Sequence, residues 1–284
     1  MQKPDTRDAR PVGPPRGVLP GGVNPAHGEH ARIAPPAPLA PYLAHFWWVS
    51  WDVPAPLVVE TLPHPTAHVV FESPDDRGEL TGVSLRRFTR TLRGRGRVFG
   101  IKLRPAVIGA LAPPPASSLR DRRAALPDAL PGPLADALSS VGRALRDVSN
   151  PPDAAAAAAT LLIDAPWPAL PPPLLAIRDL VERAEHDRDL ARVEDLARAA
   201  GLDVRTLERR FRAWVGLTPK AVLARYRLIE AAERVQREPD APLAALAAAL
   251  GYSDQAHFSR DFRAVVGRTP RQLREDARAG RRAP

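Results

Sequence analysis

One segment of the chain occurs twice near the C-terminal end, and this repeat limits the fold more than any other feature. Residues 196–219 recur at residues 246–270, and each copy runs from a Leu-Ala stretch through a glycine and a phenylalanine to Gly-X-Thr-Pro. An offset of 51 residues separates three matched pairs: Arg209 and Arg260, Phe211 and Phe262, and Gly216 and Gly267. Since these positions stay in register, we predict two tandem units of one local structure.

Each copy carries the signals of a helix, a sharp turn and a second helix. The first helix ends at Gly201 in one copy and at Gly251 in the other, because glycine tolerates the left-handed conformation at a helix end. Asp203 and Asp254 follow, and a short acceptor side chain can cap the free N–H groups of the next helix. The repeat therefore predicts two helix-turn-helix units.

The second helix of each unit has one apolar and one outward face. At about 100° per residue, the inward positions are Val204, Leu207 and Phe211 in the first copy and Phe258, Phe262 and Val265 in the second. The outward positions are Arg205, Arg209 and Arg212, matched by Ala256, Arg260 and Arg263. Arginine on a helix that fits the major groove can bond guanine or phosphate, whereas a solvated surface is the alternative for one helix alone. The duplication favours DNA binding.

The second copy also carries a long and specific family resemblance. Residues 251–262 are Gly-Tyr-Ser-Asp-Gln-Ala-His-Phe-Ser-Arg-Asp-Phe, and Gly-Arg-Thr-Pro follows at 267–270 and Leu-Arg at 273–274. This run resembles the signature of the AraC/XylS family of transcription regulators, and the resemblance covers roughly residues 174–276. It implies two three-helix subdomains that are joined by one long helix and that bind adjacent major grooves.

The residues between the copies predict that joining helix independently. Thr218 can cap a helix whose first position is Pro219, where the missing N–H costs nothing. No helix breaker follows before Pro239, and one apolar side is formed by Val222, Tyr226, Ile229 and Ala232. We expect a rigid spacer between the two units.

The resemblance implies that outward residues of both second helices contact DNA. These positions are Arg205, Glu208, Arg209 and Arg212 in the first copy, and Gln255, Ala256, Ser259, Arg260 and Arg263 in the second. Ala256 is a departure, since it offers only a methyl group to thymine, and the second copy is expected to discriminate bases less strictly. Glu208 either accepts a hydrogen bond from a cytosine amino group or pairs within its helix with Arg205 or Arg212.

Composition restricts the other function classes. The net charge of +9 is moderate and fits a specific DNA binder with a regulatory domain better than a protein that coats DNA by charge alone. The absence of cysteine excludes disulfides, thiolate metal sites and the alkyl-accepting repair proteins that resemble this family. The chain has neither an apolar run of about 18 residues nor a hydrophobic signal core, so a cytoplasmic location without membrane association is expected.

We expect an α+β multidomain fold, with a mostly antiparallel β domain followed by helices and then an all-α C-terminal domain. Strands are predicted at 44–51, 57–62, 67–72 and 97–103, where β-branched and aromatic runs lie between turn residues, and helices at 133–148 and 153–163. Proline and glycine content places a disordered leader at 1–38 and a stiff linker at 166–173. The domains are then 39–165 and 174–276, with a basic tail at 277–284.

The N-terminal layout resembles the sensory or dimerisation halves of this family, many of which are cupin-like barrels. The segments Leu-Pro-His-Pro at 62–65 and Gly-Ile-Lys-Leu-Arg-Pro at 100–105 are similar to a poorly characterised domain found in one branch of the family. That resemblance implies a regulatory role and names no ligand.

Three groups of side chains in this domain are candidates for ligand contact. Four aromatic residues are candidates for lining an effector pocket: Trp47, Trp48, Phe71 and Phe99. The alternative is that they belong to the hydrophobic core, as aromatic residues in strands usually do. His45, His64 and His68 can be considered as metal ligands, but a strand spacing of four spans about 13 Å and Pro65 interrupts it, so no metal is expected. The arginines within residues 86–97 surround a hairpin that is expected to be solvated, and an anionic ligand or further DNA contact is the alternative.

Together these features predict a bacterial, sequence-specific transcription regulator that binds double-stranded DNA without a cofactor and without catalysis. The N-terminal domain is expected to sense a small-molecule effector or to form a homodimer, and so to bias DNA affinity or contact with RNA polymerase. One alternative is a constitutive DNA-binding protein whose N-terminal domain only dimerises. The other is a ligand-processing enzyme fused to a DNA-binding domain, which is disfavoured because no set of nucleophile, base and orienting group is evident in the sequence.

Overall fold

The computed structural model describes residues 11–13, 17–19, 28–112 and 115–282 of the chain. Much of the predicted leader at 1–38 lies outside these residues, as do the last two residues of the predicted basic tail at 277–284. Within the leader's range, residues 28–33 form a strand rather than a disordered segment. Residues 277–282 of the tail continue the last helix.

A six-stranded antiparallel sheet dominates the N-terminal half, residues 28–165. Its strands are β1 (Gly28–Ile33), β2 (Leu43–Thr61), β3 (His68–Glu72), β4 (Glu79–Thr81), β5 (Phe88–Leu103) and β6 (Arg123–Ala125), in the order β1-β2-β5-β3-β4-β6. The strands predicted at 44–51 and 57–62 are one long strand. Prolines at 54 and 56 cannot donate to the ladder, but β2 passes through an irregularity between Val53 and Leu57 and then resumes its pairing with β5.

One face of the sheet carries the main hydrophobic core. Phe46 and Ile101 are cross-strand partners, as are Phe71 and Phe99, and all four side chains are buried. The helices α3 (Gly132–Leu145) and α4 (Pro151–Leu162) contribute their apolar sides to the same core. These two helices confirm the helices predicted at 133–148 and 153–163.

The opposite face of the sheet carries a second apolar cluster. Its buried members are Trp51, Val53, Leu92 and Val98, and Trp47 is partly buried against them. The two tryptophan rings lie close over glycines of β5. A Cβ atom added at Gly100 would lie 1.9 Å from Trp47 Cε2, and one at Gly96 would lie 2.4 Å from Trp51 Cζ2. Glycine at these positions is therefore what allows a bulky ring to cover the neighbouring strand.

Helices make up the C-terminal half, residues 166–282. They are α5 (Pro172–Arg183), α6 (Val193–Ala199), α7 (Val204–Arg210), α8 (Pro219–Arg237), α9 (Leu243–Ala249), α10 (Gln255–Val266) and α11 (Pro270–Arg282). The N-terminal half also contains the short α1 (Ile108–Leu111), a 3₁₀ turn (Ala116–Leu119) and α2 (Leu126–Ala129). The predicted joining helix is α8, where Thr218 Oγ1 accepts a hydrogen bond from Ala221 N at 3.2 Å. Among the described helices, none is both long and apolar enough to cross a membrane.

The two halves share one continuous core. The buried cluster that begins at Ile33 in β1 extends through the first C-terminal helices to Tyr226 in α8. The segment 166–173, predicted as a stiff linker, is packed: Trp167 stacks on Tyr42 with ring centroids 4.8 Å apart, and Tyr42 Oη donates to Pro168 O at 3.0 Å. The prolines of this segment fix its backbone, but the segment lies against the N-terminal half instead of holding the halves apart.

A guanidinium is buried between α8 and the N-terminal half. Arg225 is 2% exposed, and its Nη2 donates to the carbonyl oxygen of Leu85 in the loop before β5. Its Nε and Nη1 have no hydrogen-bond partner among the described residues. Burial lowers the pKa of Arg225 to about 10, although the nearby charge of Asp121 acts in the opposite direction. The charged form is thus disfavoured by folding, and this part of the interface costs stability.

Arg225→Met is expected to raise the free energy of unfolding by about 1 kcal/mol or more, because a poorly paired buried charge costs more than an apolar side chain of similar volume. Below the lowered pKa the arginine is charged in both the folded and unfolded states, so the gain should persist across neutral pH. Denaturation with urea, followed by circular dichroism, measures it. Arg237→Met at the exposed end of α8 is the control and should change stability by less than about 0.5 kcal/mol. A less stable Arg225→Met would show that the bond to Leu85 outweighs the cost of burial.

Two glycines of α3 give a matched pair of substitutions. A Cβ atom at Gly142 would lie 1.8 Å from the backbone oxygen of Asp76, whereas one at Gly132 would meet nothing within 4 Å. Gly142→Ala is expected to lower the free energy of unfolding by about 1–3 kcal/mol, despite the better helix propensity of alanine. Gly132→Ala should be neutral or stabilising by up to about 1 kcal/mol. Thermal unfolding compares the two, and equal effects would contradict the close contact of α3 with Asp76.

Candidate nucleic-acid interface

The first helix-turn-helix unit, called the first unit, consists of α6, a turn at Gly201 and α7. Gly201 has a φ of +62°, in the left-handed region that favours glycine. Asp203 Oδ1 accepts a hydrogen bond from Thr206 N at 2.8 Å and caps α7, as the sequence predicts. This bond from the backbone N–H lowers the pKa of the Asp203 carboxyl. The start of α7 is therefore fixed by a charged cap.

The second unit repeats this construction in α9, a turn at Gly251 and α10. Gly251 has a φ of +78°, and Asp254 Oδ1 accepts from His257 N at 2.7 Å. The backbone hydrogen bond from His257 lowers the pKa of the Asp254 carboxyl. The prediction of two tandem helix-turn-helix units joined by a long helix is confirmed.

Both α7 and α10 bury one stripe of residues that are four apart. The first stripe is Leu207, Phe211 and Val215, and the second is Phe258, Phe262 and Val266. One of the inward positions predicted from the sequence is wrong. Val204 is 38% exposed because it stands at the first helical position, before the packed stripe begins. Val265 is partly buried and packs against the second cluster, and the fully buried stripe ends at Val266.

The predicted contact residues lie away from these stripes. Seven of them are exposed: Arg205, Arg209, Arg212, Gln255, Ala256, Arg260 and Arg263. Glu208 and Ser259 are partly buried. Both helices thus present guanidinium groups on a face that is open to a partner. Contact of these residues with DNA remains a prediction.

Glu208 has a partner within its own helix. Arg212 Nη2 lies 3.4 Å from Glu208 Oε2, four residues further along α7. This contact favours the intrahelical role that the sequence left open, because it offsets part of the carboxylate charge on the basic face. His257 and Asp261 form a similar pair in α10, with Nε2 and Oδ2 3.4 Å apart.

The two copies differ at the ends of α7 and α10. α7 continues into a π-helical turn at Phe211–Val215, whereas the matching residues of α10 stay α-helical to Val266. Trp214 of the π-helical turn packs against α1 of the N-terminal half. A Cβ atom added at Gly109 would lie 2.5 Å from Trp214 Cα. The repeat does not predict this difference, since it arises where only the first copy meets α1.

The glycine that ends each of these helices contacts the N-terminal half. Gly216 has a φ of +85° and Gly267 a φ of +80°. An added Cβ atom at Gly216 would lie 3.0 Å from Ala116 O, and one at Gly267 would lie 2.5 Å from Arg87 Cζ. The repeat identifies both glycines from the sequence, but no local pattern predicts that Ala116 lies beside Gly216 and Arg87 beside Gly267.

The four aromatic residues predicted to line an effector pocket do not meet in one place. Trp48, Phe71 and Phe99 are each 2% exposed or less and belong to the main core, where the rings of Phe71 and Phe99 are 6.3 Å apart. Trp47 lies on the other face of the sheet, and its Nε1 donates to His68 Nδ1 at 3.2 Å. Successive side chains of a strand point to opposite faces, which separates Trp47 from Trp48. Their role in effector binding remains a prediction.

Of the three histidines considered as metal ligands, His45 and His68 lie near cationic side chains, whereas His64 Nδ1 lies 3.7 Å from Glu185 Oε1. Burial lowers the pKa of His45 to about 2 and that of His68 to about 3, and the charge of Lys102 acts in the same direction on both. His45 is therefore neutral and accepts a hydrogen bond from Arg32 Nε at 3.1 Å. In the part of the chain that the structure describes, no three His, Asp or Glu side chains are grouped to hold a metal ion.

Two family models match separate parts of the chain. A helix-turn-helix domain matches residues 196–276, which include both units, and a domain of unknown function (DUF6597) matches residues 31–125 in the N-terminal half. The transcriptional activator RhaS of Pectobacterium carotovorum is 40% identical over 82 residues, 29% of this chain and 29% of RhaS. The transcriptional activator NphR of Rhodococcus is 38% identical over 108 residues, 38% of this chain and 31% of NphR. The chain thus spans about a third of the length of these relatives.

Among solved structures, a transcriptional regulator with an AraC-type DNA-binding domain from Chromobacterium violaceum is similar to the chain. It is 26% identical, the match covers 36% of this chain and 91% of that one, and the TM-score is 0.33. The folded units and the family match define the C-terminal half as a tandem helix-turn-helix domain. Its similarity to these transcriptional activators agrees with the resemblance to the AraC/XylS family in the sequence.

Asp203→Ala should destabilise α7, because the substitution leaves the N–H of Thr206 without its acceptor. The expected loss in the free energy of unfolding is about 1 kcal/mol, whereas Asp203→Asn keeps an acceptor and should cost only a few tenths. The advantage of the charged cap over asparagine should vanish as the pH falls through the lowered pKa, where the carboxylate of the folded protein takes up a proton. Thermal unfolding at neutral and acidic pH measures both effects. Equal destabilisation by alanine and asparagine would contradict the capping role.

Proposed function

We propose that this protein is a sequence-specific DNA-binding transcription regulator. The observation that supports it most is the pair of tandem units, each with an aspartate-capped helix that carries arginine on its exposed face. A helix of this kind fits the major groove, and two of them on a rigid connector suit successive grooves on one face of the duplex, roughly 34 Å apart. The 40% identity to a transcriptional activator over 82 residues supports the same class.

Base contact is assigned first to the positions that match between the copies. Arg209 and Arg260 are equivalent and exposed, and arginine can bond both O6 and N7 of guanine. Arg212 and Arg263 lie further along the same helices and suit phosphate contact. Ala256 provides only a methyl group, so we propose that the first unit carries more of the base discrimination.

The N-terminal half is proposed to regulate DNA binding by sensing a small-molecule effector or by forming a homodimer, and to affect contact with RNA polymerase. Its contacts with the ends of α7 and α10 provide a route from the sheet to the DNA-binding surface. The protein would act on DNA in the cytoplasm, without a cofactor and without catalysis. A constitutive DNA-binding protein whose N-terminal half only dimerises is the second candidate. It is favoured by the packing of Trp48, Phe71 and Phe99 as core, which leaves those side chains unavailable to an effector.

In vitro selection from random duplexes tests the proposal. The full-length protein is used at one fixed, near-physiological salt concentration, because affinity for DNA depends steeply on salt. Enrichment of a motif with two conserved blocks about 10 base pairs apart is expected. A doubled motif would indicate a dimer. Failure to enrich any motif would refute sequence-specific binding.

Arg209→Ala is expected to weaken binding to the selected duplex by about 1–3 kcal/mol and to relax base preference at one position, because the paired bonds to guanine are lost. Fluorescence anisotropy with the selected duplex and its single-base variants measures both effects. Arg143→Ala removes the same charge from the exposed surface of α3 and serves as the control, with no expected change in affinity. Uniform weakening across all duplexes by Arg209→Ala would show phosphate contact instead of base contact.

A further inference from the structure

A buried carboxylate lies where the β2–β5 pair reaches the C-terminal half. Glu60 stands near the end of β2, and its side chain is 8% exposed. Its Oε1 forms an ion pair with Arg87 Nη1 at 2.7 Å, and its Oε2 accepts a hydrogen bond from Nη2 of Arg268. Removing a carboxylate from water is costly unless its charge is paired and hydrogen-bonded. Arginines from different halves of the protein pair with the two oxygens of Glu60.

Both arginines are connected to the end of α10. Arg268 lies in the loop between α10 and α11, and its Nη1 pairs with Asp276 of α11 at 2.6 Å. Arg87 Nη1 also donates to the carbonyl oxygen of Val266, the last residue of α10, at 3.1 Å. Carbonyl groups at the end of a helix have no partner within it. One of them is satisfied here by a side chain that Glu60 holds in place.

Gly267 makes this arrangement possible. Its φ of +80° ends α10 in a left-handed conformation, and its lack of a side chain leaves room for the Arg87 guanidinium, which a Cβ atom would approach to 2.5 Å. In the first copy the equivalent Gly216 faces the backbone oxygen of Ala116 instead. The glycine of the second unit thus lies against a charged side chain, whereas the glycine of the first unit lies against backbone atoms.

The second unit packs in a cluster that is distinct from the main core. Phe258, Phe262 and Leu273 are fully buried there with Ile229 of α8, and Leu19 and Leu62 reach the same cluster from the N-terminal part of the chain. The first unit belongs to the main core and is therefore fixed to the N-terminal half by apolar packing. α8 joins the units covalently and Leu62 packs in the cluster of the second unit. The Glu60 ion pairs add a directional constraint at the end of α10.

We infer that Glu60 is a positioning residue. Through Arg87 and Arg268 it fixes the end of α10 to the N-terminal half, to which α7 is already fixed, and so sets the distance between α7 and α10. On DNA this distance determines the spacing between the two blocks of bases that the protein selects. The effect on spacing rests on the proposed function, whereas the positioning of α10 is a property of the protein without DNA.

Hydrogen exchange of the full-length protein tests the positioning without DNA. In Glu60→Gln a neutral amide no longer balances two guanidinium charges, so amides at residues 263–269 are expected to exchange about tenfold faster. The amides of α7 should keep their wild-type rates. Glu72→Gln is the matched control, because Glu72 pairs with Arg90 within the N-terminal half and should leave α10 unchanged. Unchanged exchange at α10 in Glu60→Gln, or equal acceleration in α7, would overturn the inference.

A double-mutant cycle keeps the test decisive if one variant is poorly folded. Arg268→Gln disrupts the same contact from the other side and leaves Glu60 paired with Arg87. The effects of Glu60→Gln and Arg268→Gln on α10 exchange should add up to clearly more than the effect of the double variant. Strict additivity would mean that the two residues act independently, and the inference would be wrong.

Binding to DNA of altered spacing tests the consequence. The duplex selected by the wild-type protein is compared with one in which two base pairs are inserted between its conserved blocks. Glu60→Gln should lose most of the wild-type preference for the original spacing, and Glu72→Gln should retain it. Retention of the full preference by Glu60→Gln would overturn the spacing effect. If the wild-type protein selects no duplex, the proposed function fails, and the exchange experiment still decides the role of Glu60.

Discussion

The structure depends on the burial of the first unit against the N-terminal half. Phe211, Val215 and Leu217 are fully buried in the same cluster as Phe46 and Phe99, so the first unit and the N-terminal half share one core. Because apolar burial is the dominant favourable term in folding, these parts are expected to fold and unfold together. The second unit packs in a separate cluster on the later turns of α8, to which Leu19 and Leu62 contribute from the N-terminal part of the chain. Two copies of one motif therefore have different structural positions, one integral to the core and one attached to it.

This asymmetry agrees with the differences between the copies. The first copy has arginine at both 205 and 209 and ends in a π-helical turn that packs on α1, whereas the second has Ala256 and Arg260 and is regular to its last residue. A firmly held helix would suit the base discrimination proposed for the first unit, since discrimination depends on placing donor groups accurately. An attached unit can be moved by a smaller change in the N-terminal half.

Features with a local physical cause are predictable from the sequence, and features that depend on distant partners are not. Asp203, Asp254 and Thr218 each cap the helix that follows, as the sequence predicts. A few local residues therefore suffice to predict where α7, α10 and α8 begin. Adjacent Trp47 and Trp48 point to opposite faces because side chains alternate along a strand, but which of them enters the main core depends on the distant elements that pack on β2. The candidate DNA contacts follow from the helical period, but Glu60 has no local signal, because its partner Arg268 is 208 residues away.

Two histidines of the sheet make the fold sensitive to acid. His45 and His68 stay neutral when folded, since their pKa values of about 2 and about 3 lie far below the 6.5 of an exposed imidazole. As the pH falls below 6.5, the unfolded chain takes up a proton at each histidine that the folded protein does not. Each imidazole then removes about 1.4 kcal/mol of stability per pH unit. Protonation of these two imidazoles in the unfolded chain thus disfavours the folded protein at acidic pH.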